Sequence, residues 1–239
     1  MENLASFNIL IECWIGKKLK DKNQNDLFLR ERIKRYDKWL VQKKISFSSK
    51  VIPVMESFTT KQRILPTEHA IEILRKAKSV AVQNCECRSH YKRCNNPLET
   101  CFLLDEVGDK FVSRGEARYL TLEEADAILK NANIHGLIHL CLYIPDHKIY
   151  ALCSCCSCCC HELQIIKKYN RPELMVHSEY YAFTDLELCI NCGDCIGRCI
   201  FGARKLIDGH LVSWQYVCAG CGLCVTFCKV EAISLNHRS

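Results

Sequence analysis

Eight cysteines near the C-terminus stand in two copies of one spacing. The first copy is Cys189-Ile-Asn-Cys192-Gly-Asp-Cys195-Ile-Gly-Arg-Cys199, and the second is Cys218-Ala-Gly-Cys221-Gly-Leu-Cys224-Val-Thr-Phe-Cys228. Each reads C-x2-C-x2-C-x3-C, the copies are offset by 29 residues, and the match runs past the thiols, with Ala203 corresponding to Ala232. Three thiols at intervals of three, on a loop with small neighbours, wrap one face of an iron–sulfide cubane, and a fourth ligand must arrive from elsewhere. Gly193, Gly220 and Gly222 let the backbone turn tightly, so that amide N–H groups can point at sulfide and thiolate. Zinc is the competing chemistry, because C-x2-C pairs also build zinc sites. Such sites pair two motifs over a longer interval and need no third evenly spaced thiol.

Tandem runs of this kind resemble the bacterial-type ferredoxins, in which the fourth cysteine of each run serves the other cluster. The resemblance implies one 4Fe–4S cluster on Cys189, Cys192, Cys195 and Cys228, and a second on Cys218, Cys221, Cys224 and Cys199. The proline that usually follows the fourth cysteine is absent, with Ile200 and Lys229 in its place. That change bears on cluster potential more than on cluster binding.

A second cysteine field lies upstream. Cys85, Cys87, Cys94 and Cys101 form C-x-C-x6-C-x6-C, and Cys153-Ser-Cys155-Cys156-Ser-Cys158-Cys159-Cys160 packs six thiols into eight residues. Both sets follow an expected strand, so the fold can bring them to one end of a sheet. Alternation along an extended chain puts Cys153 and Cys155 on one side, and Cys156, Cys158 and Cys160 on the other. Ten soft ligands suit an iron–sulfur centre, or less readily zinc or cuprous ion. The arrangements that remain open are a third cubane on the first set, a cluster drawing on both sets, a larger non-cubane cluster with spare redox thiols, structural zinc, and unligated core cysteines, though packing alone hardly explains six thiols in eight residues. Cys13 and Cys141 stand alone and read as small buried hydrophobes. His139, on an expected strand, reads as a core histidine rather than a ligand.

The elements that must position these thiols follow from pattern. Residues 1–60 read as a mostly helical, basic segment, with Leu29, Ile33, Tyr36 and Leu40 on one stripe among Arg30, Arg32, Lys34, Arg35 and Lys38. Residues 61–180 read as a small Cys-rich α/β domain. It has a helix after Pro66, a strand at Ser79–Gln83, a helix from a Thr121–Glu124 capping box to about Ala132, and two strands joined by Pro145-Asp146. Residues 181–239 form the two-cluster ferredoxin domain. The expected fold class is thus α+β.

The chain has 239 residues, 20 of them cysteine, and a formal net charge of +6. The positive charge is local: residues 1–66 hold 14 Lys and Arg against 7 Asp and Glu, and the remainder 19 against 20. A cubane with four thiolates contributes about −2 when oxidised, so two or three clusters bring the loaded protein close to neutral. The basic stripe is read first as the solvated face of a helix packed on its own core. Its functional readings are a docking surface for an acidic redox partner or peripheral contact with an anionic membrane surface. Nucleic acid is not expected, because no stacking platform or recognition motif accompanies the charge. The start shows no secretory signal and no membrane span, with Glu12 interrupting a short apolar run, and a reducing cytoplasm is the expected setting.

Beyond the tandem runs, a wider pattern is similar to a family of anaerobe 4Fe–4S dicluster, ferredoxin-like binding proteins. It is carried by Cys85-Glu-Cys87-Arg88, Cys94, Cys101, Leu122-Glu-Glu-Ala125, Gly136-Leu-Ile-His139, the Cys153–Cys160 field and Cys218-Ala-Gly-Cys-Gly-Leu-Cys224, and spans about residues 55–239. The resemblance implies a cytoplasmic iron–sulfur electron-transport protein that passes low-potential electrons one at a time to or from a partner oxidoreductase. No dinucleotide fingerprint or P-loop suggests other substrate chemistry. The alternative is an iron–sulfur reductase, using the middle centre and vicinal thiols on a disulfide or small substrate.

Overall fold

The computed structural model describes residues 26–58 and 70–238, and its fold is α+β, as expected. Cys13 and the Pro66 helix start lie outside the described residues. The first described helix is α1 (Leu27–Val41), opened by Asp26, whose carboxylate accepts from the Leu29 amide at 3.1 Å. Its apolar stripe behaves as the periodicity suggested. Leu29 and Tyr36 are buried against Ile165 and Leu174, with Ile33 and Leu40 packed beside them.

A seven-stranded sheet forms the middle of the molecule. In chain order its strands are β1 (Ser49–Ile52), β2 (Val80–Asn84), β3 (Glu99–Leu104), β4 (Arg118–Tyr119), β5 (Ile138–Ile144), β6 (Lys148–Cys155) and β7 (Met175–Val176). In space they run β4-β2-β3-β6-β5-β1-β7, antiparallel throughout except for the parallel β1–β7 pair. β1 falls inside the segment read as mostly helical. Pro53 stops a helix there, and β-branched Val51 and Ile52 suit the slot beside β5. β5 and β6 form the expected hairpin, with Asp146 at φ 66° in the turn.

Strand alternation sorts the sheet into two faces. On one, Phe102, Leu104, Cys141 and Leu152 pack against α2 (Ala70–Lys76) and α5 (Leu122–Ile134) through Leu74, Ala125 and Leu129. The Thr121–Glu124 capping box is present in both directions, at 3.3 and 2.8 Å. The other face carries Cys101, Leu140, Cys153 and Cys155. Between the strands run α3 (Glu86–Tyr91) and α4 (Asp105–Ser113), and α6 (His161–Tyr169) follows β6 directly.

The tandem cysteine runs sit in a unit closed by β8 (Tyr180–Thr184) pairing antiparallel with β11 (Ile233–His237). Between them lie α7 (Asp194–Arg198) and a hairpin of β9 (Arg204–Ile207) with β10 (His210–Ser213). The unit is stitched to the sheet domain by backbone bonds from Val54 N–H to Cys221 O (2.9 Å) and from Ser178 N–H to Ala219 O (3.1 Å). Gly220 and Gly222 have φ of 71° and 80°, and a Cβ would strike Tyr180 O at the first and Ser57 Oγ at the second. Only glycine serves both the turn and this close approach.

Candidate metal centres

In the tandem unit, Cys195 and Cys224 are buried in one apolar cluster with Leu211, Ile233 and Leu235, and Cys189, Cys218 and Cys228 pack against it. Cys221 is buried in the main core instead, with Cys199 beside it. The charges of Cys218 and Cys199 act on both Cys221 and Cys224, and that of Cys195 acts on Cys224 as well, so thiols of the two runs lie near one another. Backbone amides reach the sulfurs: Ala203 N–H donates to Cys199 Sγ at 3.2 Å and Ala182 N–H to Cys218 Sγ at 3.4 Å. Burial pushes the Cys224 thiol up to about 12, and Arg204 works against that shift.

Arg204 carried no signal in sequence. Its side chain is buried, donating to Thr184 Oγ1 at 2.8 Å and Ala182 O at 3.1 Å, with Nη1 at 4.0 Å from Cys195 Sγ. It is a fixed positive charge beside thiols of both runs. Cys192, by contrast, is exposed, among the exposed side chains of Leu188 and Ile190.

The ten upstream thiols form two groups that meet at Cys156. Cys85, Cys87, Cys101, Cys153, Cys155, Cys156 and Cys160 line one cleft, which Arg32, Arg88, His161 and Glu162 also border. Cys101 and Cys153 are cross-strand partners with sulfurs 2.9 Å apart. Cys85 and Cys160 are the N-caps of α3 and α6. Cys94 is grouped elsewhere, with Cys156, Cys158 and Cys159, all four sulfurs lying within 4.8 Å of one another. The structure therefore gathers neither of the two sequence sets around a single point. It joins most of the first set to part of the second. The turn after Cys155 sends Cys160 back to the cleft, away from Cys158, beside which simple alternation had put it, while Cys156 touches both groups.

Electrostatics in the cleft follow from crowding. Hydrogen bonds from the Cys101 and Cys87 thiols, with Arg88 nearby, hold Cys85 down at about 2. Thiol–thiol hydrogen bonds and burial push Cys87, Cys101 and Cys160 well above the ordinary thiol value. Thiolates this crowded cannot all coexist there unaided, and a bound metal cation would displace their protons.

Arg88 is buried, not a surface residue. It donates to Ser154 O at 3.0 Å and to Thr100 Oγ1, and its charge faces Cys85, Cys155 and Cys156. His161, which sequence reasoning passed over, lies with Nδ1 3.1 Å from Cys87 Sγ and 3.1 Å from Arg32 Nη1. Burial and then Arg32 lower its pKa to about 3, so the ring is neutral, and its Nε2 is buried without a partner among the described residues. The signal available was its place directly after the cysteine field, at the first position of a helix. His139 is the core histidine expected: buried, bonded to Ser154 Oγ at 3.0 Å, and lowered to about 4 by burial. Cys141 is buried on the opposite face of the sheet.

Among the described residues no helix is long and apolar enough to cross a membrane. No protein-family model matches the chain, and no solved structure is similar to it. Among curated proteins it is similar to the pyruvate synthase subunit PorD of Methanothermobacter marburgensis, 38% identical over 57 residues. That match takes in 23% of this chain and spans 65% of the length of PorD. Clustered cysteines and this likeness together support an iron–sulfur protein.

Proposed function

We propose that the chain is an electron carrier with two 4Fe–4S clusters in its C-terminal unit and a third iron–sulfur centre in the cysteine-lined cleft. The assignment of Cys189, Cys192, Cys195 and Cys228 to one cluster, and of Cys218, Cys221, Cys224 and Cys199 to the other, rests on the tandem spacing and on the position of Cys199. The observation that carries the reading is one continuous apolar core. It contains Cys85, Cys101, Cys153, Cys155 and Cys160, and also Cys221 with Cys199 against it. Centres set in one rigid, water-poor body exchange electrons without large reorganisation. The division into a basic front (1–60), a Cys-rich domain (61–180) and a two-cluster domain (181–239) belongs to this reading, with β1 of the front built into the Cys-rich sheet.

Electrons would leave or enter at the exposed Cys192 edge. The partner is an oxidoreductase in an anaerobic cytoplasm, and the likeness to a pyruvate synthase subunit suggests one of that kind. The exposed basic residues of α1, Arg30, Lys34, Arg35 and Lys38, offer such a partner a second contact. An anaerobic redox titration followed by electron paramagnetic resonance tests the function. Stepwise one-electron signals in the lower half of the iron–sulfur range, about −700 to +450 mV, are expected, and a redox-silent protein would contradict it.

Arg88 and Arg204 make a further test within this reading. Removing a positive charge destabilises the reduced, more negative cluster. Arg88→Met should lower the midpoint of the middle centre, and Arg204→Met those of the C-terminal pair, each by about 60 mV, a tenfold change in a one-electron equilibrium. Lysine at either position should retain most of the wild-type potential.

The seven thiols bordering the cleft favour a second reading, because a cubane takes four and leaves at least two even when Cys156 is committed elsewhere. Those two could reduce a disulfide with electrons from the C-terminal clusters. Alkylation of two cleft cysteines in the reduced, loaded protein would support it, and complete protection would remove it.

A further inference from the structure

We propose that Cys94, Cys156, Cys158 and Cys159 hold a single tetrahedral metal ion, zinc or ferrous iron, distinct from every cluster. The four sulfurs lie within 4.8 Å of one another, with Cys94 to Cys156 at 3.8 Å and Cys158 to Cys159 at 3.7 Å. Around one ion with metal–sulfur bonds of about 2.3 Å, the edge of the sulfur tetrahedron is about 3.8 Å. A cubane pushes its ligands outward from a cage of irons and sulfides, so its ligand sulfurs stand much farther apart. The four-thiol group therefore fits one ion, and Cys156, which also borders the cleft, joins it to the other thiols. Tetrahedral thiolate coordination by four cysteines is chemistry that zinc and iron share.

The surroundings are those of a closed structural site. Asn96 Nδ2 donates to Cys94 Sγ at 3.4 Å. Arg93 Nη1 donates to Cys158 O at 3.1 Å and to Gln164 Oε1 at 2.8 Å, while Gln164 Nε2 donates to Cys159 O at 2.9 Å. These bonds orient the ligand backbone, and Arg93 with Arg88 offsets the negative charge of four thiolates. The ion ties the loop after α3 to the turn between β6 and α6, and so holds α3, which carries Cys87, against the turn that ends at Cys160. This inference stands whether or not that cleft holds a cluster.

The test is elemental analysis of the full-length protein, purified anaerobically, beside sulfide quantitation. One equivalent of zinc, or of iron unmatched by sulfide, is expected. Cys159→Ser and Cys94→Ser should each lose that equivalent, leaving sulfide and the cluster resonance signals unchanged. Should these variants fail to fold, X-ray absorption of the wild-type protein at the zinc edge decides, with four sulfurs at about 2.3 Å expected. If the ion is iron, replacement by cobalt should give the absorption bands of tetrahedral cobalt thiolate. Loss of about four irons and four sulfides together in either variant would overturn the inference. So would a wild-type protein with no ion beyond its clusters.

Discussion

Cys199→Ala is expected to remove the cluster on Cys218, Cys221 and Cys224 and to spare the cluster of its own run. The thiol belongs to the first copy by sequence, yet its charge acts on Cys221 and Cys224 of the second. A cluster left with three protein ligands loses an iron or falls apart, so iron content should drop by up to about four. Pairing variants identifies the shared cluster. Cys199→Ala with Cys221→Ala should lose no more iron than the more damaging single change, because both act on one cluster. Cys199→Ala with Cys192→Ala should lose about twice as much. The reverse pattern, Cys199 non-additive with Cys192, would mean that each run keeps its own fourth ligand.

The second large effect concerns stability. Glu162 is buried and takes the Tyr36 hydroxyl at 2.6 Å, the Ser48 hydroxyl at 2.7 Å and Arg32 Nε at 3.2 Å. It anchors α1 to α6 beside the cleft. Glu162→Ala leaves a mostly buried guanidinium and the Tyr36 hydroxyl without their acceptor, while Ser48 Oγ keeps Leu174 O at 2.9 Å, at a cost of about 3 kcal/mol. For a chain of this size that corresponds to a fall of about 10 °C in Tm. The double variant Arg32→Met/Glu162→Leu should recover a large part of the loss, since it removes the stranded charge as well. Chemical denaturation of the loaded protein checks both, and a Glu162→Ala protein within about 0.5 kcal/mol of wild type would contradict this role.

Local features were legible in the sequence. The Thr121–Glu124 capping box, the β5–β6 hairpin, the apolar stripe of α1 and the core role of His139 each depend on neighbours a few residues apart. They appear where pattern put them. What the sequence hid depends on distant pairing. Cys94 meets Cys156, Cys158 and Cys159 only because α3 and the β6–α6 turn converge at one end of the sheet. Cys101 meets Cys153 through strand register alone. β1 is four residues long, too short for its alternation to announce a strand, and its place between β5 and β7 is fixed by the sheet. Arg204 and His161 look like ordinary polar residues, and their importance comes from burial beside sulfur.

The most direct measurement is quantitation of iron and acid-labile sulfide on anaerobically purified protein, joined to the resonance titration. Two clusters on the tandem runs require about eight irons and eight sulfides, and a centre in the cysteine-lined cleft raises both totals. Inorganic sulfide near zero, with zinc on the tandem cysteines, would contradict the account.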